Sequence, residues 1–254
     1  MKKVFASDFD GTLYFYQADI KLPPESVQMI RTYQQAGHLF GLCTGRQMGG
    51  LTPFITGHIA PDFYITSSGA NILDRDLHAI QRCGVDRQTA DAIVKKVNPK
   101  RHKITLDIEG VICVFAKMDY PGSYEVITSV DTAPEGLIHQ VSVHTDGPEQ
   151  AAELTAQINQ SYGSHVNAFQ NVAEVDIAPK GCSKGTGIQV LRTHMRQTYG
   201  ECRLYGIGDS MNDLPLIEAA DISYTFPYAP EEVQKKATKV VKNISEALKD
   251  SMVM

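Results

Sequence analysis

An α/β architecture is expected of this chain, in which a parallel sheet with helices on both faces is interrupted by an inserted α+β domain. Three features of the pattern point to it. Over residues 1–82 short apolar runs alternate with amphipathic stretches, over 83–180 strands of alternating apolar and polar residues take over, and over 181–254 the first pattern returns. A strand–helix–strand rhythm builds a parallel sheet covered on both faces. Alternating strands with helices on one side build a separate α+β unit.

Each element follows from local pattern. Residues 4–6 form a buried strand that ends at Asp8. Residues 24–36 read as a helix, because Val27, Ile30 and Tyr33 recur every third residue, proline stands near the start and Gly37 follows the end. A second buried strand, 39–43, runs into Thr44-Gly45-Arg46, and a third, 63–65, runs into Thr66-Ser67-Ser68-Gly69. In the insert, a helix over 86–97 places Ala90, Ile93, Val94 and Val97 on one face. Ile104, Leu106 and Ile108 then alternate with polar residues before Glu109-Gly110 turns the chain into 111–115, the pattern of an antiparallel hairpin. A strand near 138–143, a helix near 149–161 and strands near 165–169 and 172–177 complete the insert. After Ala178-Pro179-Lys180-Gly181 come a helix over 183–198 and a buried strand, 204–207, that ends at Gly208-Asp209. A helix over 214–220, a strand over 222–225 and a closing helix–strand–helix to residue 249 finish the chain.

Composition narrows the function. With 254 residues, 43% of them hydrophobic, the chain buries a substantial core. Twenty-four basic against 29 acidic residues leave a net charge of −5, which argues against a nucleic-acid or anionic-membrane binder. No apolar run approaches about 18 residues, and the start MKKVFASDFDG lacks the apolar stretch of a secretion signal. The five cysteines (Cys43, Cys83, Cys113, Cys182 and Cys202) are odd in number and lack CxxC spacing, so a disulfide framework is not expected. A reduced, cytoplasmic protein is expected, a monomer or small homo-oligomer without nucleic-acid or membrane partners.

Polar groups gather where apolar runs stop or helices start: Asp8-Phe9-Asp10-Gly11-Thr12, Thr44, Lys184, and Gly208-Asp209-Ser210-Met211-Asn212-Asp213. In an open α/β sheet, ligands bind beyond the carboxyl ends of the strands, so Asp8, Thr44 and Asp209 can share one crevice. Lys184 opens a helix, whose N-terminus favours anions. Two carboxylates about 4 Å apart repel by roughly 4 kcal/mol at an effective dielectric near 20. Asp8, Asp10, Asp209 and Asp213 therefore need a hard cation such as Mg²⁺, which takes carboxylates, water and substrate phosphate. An aspartate is ionised at neutral pH and attacks phosphorus without a base to activate it. Asp10, two residues on, can carry a proton for the leaving group and accept one from water.

DFDGT, TGR, SKG and GDSMND, in that order, resemble the haloacid dehalogenase-like (HAD) phosphatases, and within them the Cof-type group whose large α/β cap is inserted after the third strand. Four fixed residues recur by chance about 0.002 times in a chain of this length at roughly 5% per residue type, so two such motifs in order are a specific signal. The resemblance implies a Rossmann-like core over 1–82 and 181–254 and a substrate-selecting cap over 83–180. It implies that Asp8 forms an aspartyl-phosphate, Asp10 acts as general acid and base, and Thr44 binds the phosphoryl group beside Gly45. It further implies that Lys184 neutralises charge, Asn212 orients its neighbours at the phosphate site, and Asp8, the Asp10 carbonyl, Asp209 and Asp213 hold Mg²⁺. The expected activity is hydrolysis of a small phosphorylated metabolite, a sugar phosphate or phosphorylated cofactor. A phosphomutase or phosphotransferase, and a non-catalytic phosphometabolite-binding regulator, are the alternatives. Ser68 and Tyr228 stand where the group usually has asparagine.

Plainer readings compete for single residues. DFDGT starts like a calcium loop, but Leu13 occupies the sixth position where glycine is needed. Thr44, taken alone, reads as a helix cap. Arg46 is left outside the catalytic set, as structural or peripheral. Phe115, Tyr120 and Tyr124 either line a substrate pocket or pack core and loop, and packing is preferred.

Overall fold

The computed structural model describes residues 1–119 and 122–254. In chain order the first elements are β1 (Lys2–Ser7), α1 (Pro24–Gln35), β2 (Leu39–Cys43), α2 (Met48–Ile55), β3 (Phe63–Thr66), β4 (Asn71–Asp74) and β5 (Ala79–Arg82). Then come α3 (Arg87–Val97), β6 (Lys103–Ile108), β7 (Val111–Val114), β8 (Tyr124–Val126), β9 (Ile138–His144), α4 (Pro148–Tyr162), β10 (Val166–Asn171) and β11 (Glu174–Pro179). The chain closes with α5 (Lys184–Tyr199), β12 (Cys202–Ile207), α6 (Leu214–Ala219), β13 (Ile222–Thr225), α7 (Glu231–Lys236), β14 (Lys239–Val240) and α8 (Ile244–Val253).

The strands form two sheets, in the orders β14-β13-β12-β1-β2-β3-β4-β5 and β10-β11-β9-β6-β7-β8. From β14 to β3 the first sheet is parallel. Its strand alternation sorts side chains to two cores. Phe5 meets α1 and α8 through Tyr33, Ile30 and Leu248, while Val4 and Ala6 meet Ile188 and Leu191 of α5 and Leu216 of α6. Helices thus cover both faces, as the sequence pattern requires. Phe5 is wholly buried and has four aromatic neighbours, Tyr33, Phe40, Tyr205 and Tyr224, with ring centroids 5.9–6.2 Å away.

Two core features have no assigned element in the sequence reading. β4 pairs antiparallel with β3 and β5 antiparallel with β4, so a hairpin extends the edge of the parallel sheet. α2 is a helix in spite of Gly49, Gly50 and Pro53, all poor helix formers. Burial of Leu51 and Ile55 against the first core overrides that propensity.

The second sheet is antiparallel except where β7 meets β8. Its apolar side packs on α3 and α4 through Ile104, Leu106, Val141, Val143, Val175 and Ile177. The register puts Lys103 and Glu174 on either side of His144, and Thr105 and Asp176 on either side of Ser142. Both rows stand on the polar face, which meets the first sheet's loops. Gln47 donates to Thr105 Oγ1 at 3.1 Å and Gln140 to the Gly45 carbonyl at 2.9 Å. The chain leaves the first sheet after β5 and returns through α5. Both crossings pass Ala70: the Cys83 amide bonds its carbonyl at 2.8 Å, and Cys182 packs in the same small cluster.

Truncating Phe5 leaves a cavity among the four aromatic rings. Phe5→Ala is expected to cost about 3–5 kcal/mol, read as a lower urea midpoint at unchanged slope. A loss under about 1 kcal/mol would contradict this packing.

Candidate active site

The adjacent central strands β1 and β12 deliver the acids. The Asp8 amide bonds the Ile207 carbonyl at 2.9 Å, so the DFDGT loop and the GDSMND loop leave the sheet side by side. α5 brings the cation. The Ser183 hydroxyl accepts the Thr186 amide and the Thr186 hydroxyl accepts the Ser183 amide, a reciprocal cap that starts the helix at Lys184.

The Lys184 ammonium donates to Asp8 Oδ1 at 2.6 Å and to Asp213 Oδ1 at 2.5 Å, all three groups being buried. Asp213 Oδ2 accepts the amides of Asp209 and Ser210, each at 3.0 Å. Asp209 Oδ1 accepts the Thr12 hydroxyl at 2.6 Å. Gly11, at φ 80°, lets this loop close: a Cβ there would stand 2.6 Å from Asp209 Oδ2. Around Asn212 the bond runs from the Ser210 hydroxyl to Asn212 Oδ1, at 2.5 Å.

Carboxylate oxygens of Asp8, Asp209 and Asp213 all lie within 4.8 Å of one another. Lys184 bonds two of these three acids, and the charge imbalance shows in the titration of Asp8 and Asp209. Burial and then Asp213 push Asp8 well above the usual carboxylate range, against the pull of Lys184. Burial and Asp213 raise Asp209 to about 6. Burial would lower Lys184, but Asp213 and Asp8 outweigh it and hold the ammonium above its ordinary value. An all-oxygen, electron-rich set of this kind fits a hard divalent cation such as Mg²⁺.

The Asp10 carboxylate is not among these acids. It turns away to Arg46, which donates from Nε to Oδ2 at 2.6 Å and from Nη2 to Oδ1 at 2.8 Å. Of Asp10, only the backbone carbonyl remains a candidate metal ligand. Thr44 is buried beyond the end of β2, and its Oγ1 accepts the Arg46 amide at 3.1 Å. It caps no helix, because Gln47 holds the N-cap position of α2.

Above the acids, a cavity of about 1030 Å³ lies between the two sheets, with Tyr14, Tyr16 and Arg46 on one side and Ser142, His144 and Asp176 on the other. Asp176 is 5% exposed, and its Oδ1 accepts Gln140 at 2.9 Å and Ser142 at 3.0 Å. Gly45 passes so close that a Cβ would stand 2.5 Å from Asp176 Oδ2. Phe115 packs on the core of the second sheet, Tyr124 donates to the Met118 carbonyl at 3.0 Å, and Tyr120 lies outside the described residues.

Sequence reasoning missed Arg46, Thr12, Asp176 and Gln140 as participants. Thr12 and Arg46 lie inside the motifs themselves, and Asp176 shows as a polar residue between apolar neighbours; Gln140 carries no such signal. The two departures from the group's pattern have local roles. The Ser68 amide bonds the Thr44 carbonyl at 3.3 Å, and the Tyr228 hydroxyl donates to the Gly11 carbonyl at 2.8 Å.

The haloacid dehalogenase-like hydrolase family profile matches residues 5–247. The chain belongs to that family. Among other HAD proteins, one named HMP-PP phosphatase from Citrobacter koseri is 24% identical over 228 residues, 86% of this chain and 82% of its own. A HAD phosphatase structure from Bacteroides thetaiotaomicron superposes with a TM-score of 0.78 at 21% identity, covering 100% of this chain and 96% of that one. A HAD subclass IIB sugar phosphatase structure gives 0.78 at 20% identity over 100% of both chains. These structures share the HAD fold with this hydrolase. Among the described residues no helix is long and apolar enough to cross a membrane.

Burial, and then Glu174, raise Asp176 from 3.8 to about 7, against its bond from Ser142. The folded carboxyl binds its proton more tightly than the unfolded one. Its contribution therefore favours the fold below pH 3.8 and is lost as pH rises through about 7. Asp176→Asn is expected to flatten that part of the stability profile and to gain up to roughly 4 kcal/mol over wild type at alkaline pH, at about 1.36 kcal/mol per unit. Urea unfolding at about pH 5 and pH 8 measures it, and parallel profiles would contradict the assignment.

Proposed function

We propose that this HAD hydrolase is a Mg²⁺-dependent phosphatase of small phosphomonoesters that works through an aspartyl-phosphate on Asp8. The observation that carries the reading is the placement of Asp8: a buried carboxylate at a central strand end, held by Lys184 and grouped with Asp209 and Asp213 below the cavity. Asp8, Asp209, Asp213 and the Asp10 carbonyl would hold the Mg²⁺, which when bound would offset the negative charge of the acids and the phosphate.

A carboxylate oxygen of Asp8 attacks phosphorus as the ester P–O bond breaks, and Asp10 gives a proton to the departing oxygen. Water then attacks the acyl phosphate, Asp10 takes its proton, and inorganic phosphate leaves with Asp8 restored. Lys184, bound to Asp8 from the start, steadies the nucleophile and the charge that builds on the phosphoryl oxygens. Thr44 and Gly45, which follow β2, are assigned to bind and orient this group. Phosphoryl transfer depends mostly on such positioning and charge stabilisation.

The polar face of the second sheet bounds the space left for the rest of the substrate. Its hydroxyls, carboxylates and histidine suit a leaving group rich in hydrogen-bonding groups, such as a sugar or a phosphorylated cofactor. The names of the HMP-PP phosphatase and sugar phosphatase relatives agree with that range. The cap is proposed to span 83–180 and to select the substrate.

Hydrolysis of p-nitrophenyl phosphate is expected to vanish in excess chelator and return with Mg²⁺. Asp8→Asn is expected to lower turnover roughly 10³-fold or more with an unchanged circular dichroism spectrum. Activity retained in chelator removes the metal from this reading, and activity retained in Asp8→Asn removes the nucleophile.

A further inference from the structure

Asp8 and Asp10 lie two residues apart, yet their carboxylates have opposite surroundings. Asp8 faces Lys184 among the buried acids, whereas Asp10 gives both oxygens to the guanidinium of Arg46. The third nitrogen, Nη1, donates to the Gly50 carbonyl in the first turn of α2 at 3.1 Å. Three rings surround the guanidinium carbon, with the centroids of Phe54 at 4.9 Å, Tyr16 at 5.4 Å and Phe9 at 5.6 Å. The pair is largely screened from water, its side chains being 20% and 26% exposed. Each guanidinium nitrogen donates one bond and three rings lie against it, which restrains its orientation.

We propose that Arg46 is the positioning residue of the acid–base step. It aims the Asp10 carboxyl and keeps it apart from Asp8, Asp209 and Asp213. In the acid step, the oxygen carrying the proton that Asp10 took from water in the preceding turnover gives up its bond from Arg46 and donates that proton to the leaving oxygen. The inference rests on the reading of Asp10 as the general acid. A planar fork that grips both carboxylate oxygens while anchoring to α2 is a task for arginine; a lysine ammonium is a single point of charge and cannot hold that geometry. Arg46 acts through Asp10 and is given no contact with the reacting atoms.

The leaving group supplies the test. An alkyl phosphate departs as a poor alkoxide and needs the acid, whereas p-nitrophenyl phosphate departs as a stabilised anion and does not. In Arg46→Lys and Arg46→Met, kcat/KM for an alkyl phosphate such as glycerol phosphate is expected to fall roughly 10²-fold. For p-nitrophenyl phosphate it is expected to fall less than about fivefold. Asp10→Asn, assayed alongside, is expected to show the same asymmetry more strongly. A uniform loss across both substrates in the arginine variants, with the asymmetry kept in Asp10→Asn, overturns the inference and leaves the acid intact. A uniform loss in Asp10→Asn as well overturns the assignment of Asp10 itself. Arg46→Lys keeps the charge and carries the test if Arg46→Met is found unfolded by circular dichroism.

Discussion

One ammonium group, on Lys184, stands between two buried carboxylates, and the first sheet and its helices are arranged to keep it there. Like charges at such separations repel by roughly 4 kcal/mol even at an effective dielectric near 20, and Asp8, Asp209 and Asp213 are close enough to feel it. Placing a charge that counters them requires the pairing of β1 with β12, the reciprocal cap that starts α5 at its first residue, and a glycine at position 11 that gives Asp209 room. The acids remain partly unbalanced, a set that fits a hard divalent cation.

The second sheet adds the other boundary. Its apolar side is used up on α3 and α4, so only the polar side is left to meet the crevice. Gln140 reaches the Gly45 carbonyl and Gln47 reaches Thr105, so hydrogen bonds join the two sheets beside the small apolar cluster of Ala70, Ala178 and Cys182. Net of exchange with water, each such bond contributes only about 1 kcal/mol. A cleft that must admit and release a small molecule is well served by that choice of chemistry.

Much of this was legible in the sequence, and the rest was hidden for specific reasons. The apolar runs 39–43 and 204–207 mark strands because buried parallel strands tolerate little else, and the helix over 24–36 declares its apolar face every third residue. Asp8, Thr44, Lys184 and Asp209 were legible because each stands where a strand has just ended or a helix begins. By contrast, Gly49, Gly50 and Pro53 give α2 no helix signal, and tertiary burial of Leu51 and Ile55 overrides their poor propensity. The β4–β5 hairpin consists of strands of four residues, too short for a period to show. Arg46 sits in plain view in a motif, but its partner is 36 residues away and two of the three rings around it come from that same distant loop. Asp176 alternates correctly along its strand, and nothing local says that its side of the sheet turns toward Gly45.

The two crossings between the sheets meet at Ala70, where Cys83 and Cys182 pack together. A segment that departs and rejoins at one point can be exchanged for another of different shape through two peptide joins, without stretching the strands it interrupts. Asp8, Lys184, Asp209 and Asp213 all lie outside that segment. Such a chain is a chassis with a replaceable attachment: mutation can remodel the inserted segment while the buried acids and their lysine are inherited untouched.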